Sequence, residues 1–400
     1  MDTAGYIREL STTSAGKEMA FSASEYQERV AKVRKAMDET GLDALLVTHP
    51  PNLYYLAGYY TFGVGNHACL VLPREGDPTL QVTSLEVPAA VVNSWVRDVV
   101  SADWHEQTGA AAQLADIVKD KGLEAKGLGI EPSRTGLLPY IYNQLQRALP
   151  AARFQDASDV VAQVRMVKST AEIEYLKKAA KCTQAAINAS LAAVKPGVLD
   201  SDVAKVGYEA MIGAGSEFMS VQPIVTSGER TSYTHATYRR VPIEVGDTVF
   251  LEYGGCYQRY TAPMMRTAVV GEPSDDVRRV AEAVKATVSR IIETARPGRT
   301  HHEVAMEAKK ARAPVASETF FSEVYGYNVG IGFPPTWAEG LTFLAEGVDQ
   351  PLLPGMPFHL PISYRIPGAF GVGLSETILI TETGCEILTE QERDLHIVPV

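Results

Sequence analysis

The sequence predicts a two-domain α+β chain, with a small α/β domain over residues 1–160 and a second domain over 161–400 whose helices lie on one face of a curved antiparallel sheet. Three observations predict it. The chain has 400 residues, 46% of them hydrophobic and 21% charged, which is globular composition and enough for two cores of ordinary domain size. Up to about residue 155, strand-like and helical runs alternate. Beyond it, a pair of helices followed by strands occurs twice, without a detectable repeat, and grouped elements of this kind pack as helices on one side of a sheet.

Ser24 opens the first helix as a capping box with Gln27, and Val30, Val33 and Met37 follow at helical spacing. Strands are predicted at 43–49 (DALLVTH), HACLVLP, PTLQVTS and LGIEP, with helices at 108–121 and 137–149. Ser169 and Glu172 form a second capping box, opening a long helix that stops at Pro196-Gly197. The domain boundary is placed just before it, near Arg165. Helices at 167–195 and 200–214 precede strands at PIVTS and DTVFLEYGG; helices at 274–296 and 300–312 precede strands at MPFHLPISY and GVGLSETILIT.

With 37 Lys+Arg against 48 Asp+Glu, and no local basic patch, the chain is expected to bind neither nucleic acid nor an anionic membrane surface. Cys69, Cys182, Cys256 and Cys385 lie far apart with no C-x-x-C pair, which fits reduced thiols in a cytoplasmic protein. Residues 1–19 are polar and lack the apolar core of a signal peptide, and no apolar run approaches the ~18 residues of a membrane span.

The segment SGERTSYTHATYRRVPIEVGDTVFLEYGGCYQRYTAPMMRTAVVGEP (227–273), together with FSASEYQERVAKVRKAM and NLYYLAGYYTFG, resembles the creatinase and aminopeptidase P, or pita-bread, superfamily over nearly the whole chain. The resemblance implies a creatinase-type N-terminal domain and a pita-bread catalytic domain. It also implies a homodimer in which the YYTFG loop (59–63) of one subunit, with Tyr60 and Phe62, lines the other subunit's cavity. Metallopeptidases of the superfamily hold two divalent metals with two Asp, one His and two Glu, a donor set that clamps a water between Lewis acids. Those positions fall here on Glu252, Pro263, Tyr327, Leu360 and Ser375, the last beside Glu376. Proline and leucine offer no donor side chain, so the resemblance implies an enzyme with no metal and no cofactor.

His235 falls on the catalytic His of creatinase, the familiar metal-free member. The two arginines with which creatinase grips its substrate carboxylate, in FGR and GRE motifs, are absent: the chain reads FGVG at 62–65 and WAEG at 337–340, which argues against creatine. GYNVGIGFPPTWAEG, PGMPFHL, RYTAPMMRT and LSETILITETG resemble instead the ectoine hydrolase branch, which opens the cyclic amidine of ectoine to N-acetyl-L-2,4-diaminobutyrate. PISYRIPGAFGVG departs from that pattern and leaves room for a related cyclic amidine, guanidine or amide.

Glu252 ends an apolar strand, so its carboxylate needs either an ion-pair partner, with Arg259 and Arg266 as candidates, or a cationic ligand such as an amidinium. His235, in the polar loop YTHATY, is either a proton shuttle or a surface histidine. Tyr327 either aims its hydroxyl at the cavity or packs in the core, and Pro334-Pro335 with Trp337 makes a wall to stack on a planar amidine, with Glu339 as counter-charge. His359 and Glu376, beside the lost metal positions, are candidates for binding or for scaffold. His301, His302 and Glu303 read as a solvated helix start, since no second His follows at H-E-x-x-H spacing, and GVGNHA lacks the spacing of a dinucleotide loop.

The function expected is metal-independent hydrolysis of a C–N bond in a small zwitterionic cyclic amidine. Glu252 either attacks the amidine carbon or aligns a water while His235 moves the proton. The rivals are an amidinohydrolase acting on another small guanidine or amide, an Xaa-Pro metallo-aminopeptidase with rearranged ligands, and a non-catalytic binding protein on a peptidase scaffold.

Overall fold

The computed structural model describes residues 3–400, and the side chains of all of these but 107 and 108; the first two residues of the expected N-terminal domain and polar leader stretch lie outside them. The chain divides into two compact units, Met1–Arg165 and Met166–Val400.

The first unit is built on a six-stranded sheet in the order Asp98–Ala102, Thr79–Thr83, Ala68–Pro73, Ala44–Val47, Gly127–Ile130 and Arg153–Asp156. The central strand Ala44–Val47 runs antiparallel to Ala68–Pro73 and parallel to Gly127–Ile130. It is buried along its whole length, which is why it reads as an unbroken apolar run instead of an alternating one. Helix Ala23–Thr40 is capped by Ser22, not Ser24: Ser22 has extended backbone and its hydroxyl accepts from the Glu25 N–H at 3.3 Å. Ser24 is already inside the first turn, with its hydroxyl 2.8 Å from that of Ser22.

The second unit carries a nine-stranded sheet. Its path runs Cys385–Ile387, Glu376–Ile380, Pro357–Leu360, Gly326–Phe333, Tyr260–Val270, Thr248–Tyr257 and Ile224–Ser227, with Thr336–Leu344 paired to Gly326–Phe333. The sheet is not wholly antiparallel, because His396–Val398 adds a parallel pairing to Tyr260–Val270. The run MPFHLPISY is two strands, not one: it breaks at Pro361, which has no N–H to give a ladder, and Ser363–Ile366 leaves to pair with Phe370–Gly373.

Helix Thr170–Ala193 starts at the predicted capping box, with the Ser169 hydroxyl accepting from Glu172 N–H and the Glu172 carboxylate accepting from Ser169 N–H. It lies so close to the sheet that a Cβ on Gly255 would come within 2.6 Å of the Cys182 Cβ. The approach is stitched by Thr183, whose hydroxyl donates to Ala262 O at 2.7 Å and accepts from Gly255 N–H at 2.8 Å. Strand alternation then sorts the side chains of Thr248–Tyr257. Val249, Leu251 and Tyr253 join a core with Ala186, Ile187 and Met211 of the helices, while Phe250 clusters with Ile224 and Met265 on the opposite face. A second core unites Val280, Val284 and Ile291 with Phe358, Leu360, Ile378 and Ile380.

Helix His301–Arg312 begins at a capping box of Thr300 with Glu303. The expectation of a solvated start fails for His301, which is fully buried with Nδ1 2.6 Å from Gln350 O and its ring edge-on to Phe358. None of the four cysteines is in a disulfide, and no helix among the described residues is long and apolar enough to cross a membrane.

Arg266 and Glu376 form a buried ion pair at 2.6 Å that ties two strands to the C-terminal segment, since the same guanidinium donates to the carbonyls of Gln391 and Glu392. Thr389 donates to the other oxygen of Glu376. Removing one partner of such a pair strands the other, at a penalty of about 3–5 kcal/mol. Glu376→Gln is therefore expected to melt well below the parent in thermal denaturation; an unchanged melting temperature would show the pair to be idle.

Candidate active site

The face of the sheet turned away from helix Thr170–Ala193 carries Glu252. It stands opposite Met265 on one neighbouring strand and Ile224 on the other, and is 5% exposed. Burial among these apolar side chains pushes its carboxyl up to about 7, with the nearby Arg365 guanidinium pulling the other way. Neither arginine named as a structural partner reaches it. Arg259 donates to Phe218 O at 2.7 Å and Gly332 O at 2.6 Å and stacks between Phe218 and Phe333, and Arg266 belongs to Glu376. Among the described residues, Glu252 has no ion-pair partner within 4 Å.

Glu252, His235 and Tyr327 line a cavity of two lobes. The smaller, about 160 Å³, is lined also by Met265, Phe320, Phe321, Pro361 and Arg365. The larger, about 390 Å³, runs past Gln222, Ile224, Pro335 and Trp337. His235 sits on an exposed loop with φ +58°, a left-handed conformation that is unfavourable for most residues with a Cβ, and it lines both lobes.

Tyr327 pairs in register with His359 on the adjoining strand. Its hydroxyl accepts from Trp337 Nε1–H at 2.7 Å and lies 2.8 Å from His359 Nδ1, and His359 Nε2 lies 2.8 Å from Ser375 Oγ. Burial pushes the His359 imidazolium down to about 3, so the ring is neutral, and burial followed by the charge of Glu252 pushes the Tyr327 phenol well up.

Arg365 is the residue that sequence reasoning missed. It is buried in the cavity wall, donates to Ser363 Oγ at 2.5 Å, lies 4.9 Å from the Phe250 ring centre, and among the described residues forms no ion pair. A charged residue inside the buried strand SYRI was the available signal.

Other sequence-derived residues fall elsewhere. Glu339 is no counter-charge for a ligand: Lys168 Nζ and Asn328 Nδ2 hold one oxygen at 2.7 and 2.8 Å, and Ile331 N–H holds the other. Glu376 faces Arg266 and Thr389, away from the cavity. Leu360 points into the helix-side core, and its neighbour Pro361 lines the cavity instead. His359 reaches the cavity only through Tyr327. Tyr60 packs edge-on against Tyr54 within the first unit, and Phe62 there is 84% exposed.

A pair of divalent ions does not fit these residues. Of the positions where the superfamily places ligands, only Glu252 keeps a carboxylate, the Ser375 hydroxyl is used by Met265 N–H and His359, and Pro263 and Leu360 have no donor. Among the described residues no group of three His, Cys, Asp or Glu converges to hold an ion.

The model of metallopeptidase family M24 matches residues 174–382, and that of the creatinase/prolidase N-terminal domain matches 29–167. The chain is 30% identical over 402 residues to ectoine hydrolase of Halomonas elongata, covering 95% of this chain and 98% of that protein. It is also 30% identical over 376 residues to an Xaa-Pro dipeptidase of Pyrococcus horikoshii, covering 92% and 98%. Among solved structures, dipeptidase PepE from Mycobacterium ulcerans superposes with a TM-score of 0.80 at 27% identity, over 95% of this chain and 100% of that one. The prolidase from Pyrococcus horikoshii does so at 0.80 and 27%, over 92% and 99%.

Because the Glu252 carboxyl is raised to about 7, folding favours its protonated form, and the native state loses stability as pH rises from about 4.5 through 7. Glu252→Gln is expected to match the parent's stability at acid pH and to exceed it above neutrality, by on the order of 3 kcal/mol. Melting curves from pH 4.5 to 8 check this; a variant less stable at pH 8 would mean that Glu252 has an ion-pair partner.

Proposed function

The chain belongs to metallopeptidase family M24 with a creatinase/prolidase N-terminal domain, and from that premise we propose that it is a hydrolase opening a C–N bond of a small zwitterionic amidine without a metal ion. One observation carries the reading: a buried carboxylate, Glu252, and a buried guanidinium, Arg365, face the same lobe without forming an ion pair with each other. A ligand bearing an amidinium and a carboxylate supplies the missing counter-charge to both. The lobe's volume of about 160 Å³ lies below the ~300–1,000 Å³ of ordinary ligand pockets, which suits one compact ring. Ectoine, whose opening gives N-acetyl-L-2,4-diaminobutyrate, has this size and charge pattern, and the likeness to the Halomonas elongata enzyme supports it.

In the reaction, the oxygen of water ends as the amide carbonyl, the C–N bond breaks, and both protons of water end on the freed nitrogen as an ammonium. Glu252 binds the positive ring and either attacks the carbon, to be released by water, or orients the water directly, and His235 on the open side passes protons between water and the leaving nitrogen. The carboxylate matters more as positive charge shifts in the transition state than in binding. The reading includes a homodimer whose 59–63 loop completes the neighbouring subunit's cavity, for which the exposed Phe62 ring provides a surface.

A turnover screen of ectoine, hydroxyectoine, creatine and proline dipeptides tests the substrate class. Hydrolysis of a cyclic amidine is expected, and hydrolysis of the dipeptides alone would overturn the proposal. Arg365→Gln is expected to raise KM for the zwitterion by about 10- to 100-fold, the worth of a lost charge-assisted hydrogen bond, and to spare the neutral carboxamide analogue. Equal losses on both would remove Arg365 from carboxylate binding. Gel filtration with activity assay tests the dimer, which a fully active monomer would exclude.

A further inference from the structure

Tyr327, His359 and Ser375 form a hydrogen-bonded chain whose proton positions follow from counting donors. Trp337 Nε1 and Met265 N can only donate: the first to Tyr327 Oη, the second to Ser375 Oγ at 2.7 Å. Ser375 is fully buried, and the one acceptor in reach of its own O–H among the described residues is His359 Nε2. If Nε2 carried the proton, Ser375 would accept twice and its O–H would be stranded in the interior, with the desolvation penalty that a lost partner brings. The neutral ring therefore carries its proton on Nδ1 and donates to Tyr327 Oη. With two donors already on that oxygen, the Tyr327 O–H has one direction left, the cavity wall it shares with Glu252.

We propose that Ser375 and His359 are positioning residues that lock the Tyr327 hydroxyl as a hydrogen-bond donor into the cavity, where it stabilises negative charge on the oxygen that becomes the product carbonyl. Its second half rests on the hydrolytic reading above. The phenol stays protonated throughout: it donates a hydrogen bond and transfers no proton, so the balance of the reaction is unchanged. A fixed donor aimed at developing charge in a closed site does the work for which metallopeptidases use a Lewis acid. It does so from the position where the superfamily carries a metal-binding histidine. Trp337, by this account, serves the site through its N–H as well as through its ring.

Two measurements test it on the full-length protein. Nitrogen-15 NMR of histidine-labelled protein, with the His359 signals assigned by their loss in His359→Gln, is expected to show Nδ1 protonated and Nε2 bare; the reverse tautomer, or a charged ring, overturns the proposal. In kinetics, Tyr327→Phe is expected to lower kcat by roughly 100-fold or more with KM within a few-fold. If Tyr327→Phe does not fold, Ser375→Ala carries the test: it should lower kcat and scramble the His359 tautomer, and Ser375→Thr should restore both. Loss of kcat with the tautomer intact, or normal turnover with it scrambled, overturns the relay. The tautomer does not depend on substrate. Correct proton placement with no amidine turnover would therefore refute the hydrolytic reading, and amidine turnover with the reverse tautomer would refute the relay.

Discussion

An ionised carboxylate in a protein interior needs something in place of water, and at Glu252 the fold supplies almost nothing. Its strand neighbours are Ile224 and Met265, the arginines nearby in sequence are committed to backbone carbonyls or to Glu376, and Arg365, whose charge acts on it, lines the same cavity without closing an ion pair with it. The unpaired charge is affordable because the rest of the sheet is over-determined. Two apolar cores, a capped long helix and the Arg266–Glu376 pair hold the strands in place, so the site can keep a buried carboxyl and a buried guanidinium that form no ion pair with each other. In the proposed function a zwitterionic ligand completes the electrostatics, so that binding and charge recognition are one event.

In the metallopeptidases of this family, positive charge at the reaction centre comes from metal ions; here the same strand positions carry a proline, a tyrosine and a serine. The proposed function assigns the supply of positive potential to fixed side chains: the Arg365 guanidinium lining the small lobe and the Tyr327 hydroxyl held by Trp337 and His359 in its wall. Such groups reorganise little during reaction, which is the physical basis on which the proposed site dispenses with a Lewis acid.

Much of this was legible in the residues. Helix starts with a capping box, such as Ser169 with Glu172, and long amphipathic or apolar runs gave element positions within a few residues, because their determinants are local. Glu252, His235, Tyr327 and Trp337 could be singled out because motif resemblance marks positions on a shared scaffold. What failed depends on distant partners. Glu339, read as a counter-charge for a ligand, and Glu376, left open between binding and scaffold, are held by Lys168 and Arg266, which lie far away in sequence. Leu360 and Pro361 show the sensitivity of a strand to register: a shift of one residue moves a side chain from the cavity to the helix-side core. Arg365 is not marked by motif resemblance, because creatinase carries its arginines at two other positions and Arg365 lies on a strand that leaves the main sheet after Pro361.

The proposed function requires a carboxylate, a guanidinium and a locked hydroxyl in place of metal ions at the centre of an M24 fold. The most direct measurement is elemental analysis of purified, active protein, with turnover followed through exhaustive chelation. Substoichiometric Mn, Fe, Co and Zn with turnover unchanged is the predicted result. Stoichiometric metal that leaves together with activity, and restores activity when added back, would contradict it.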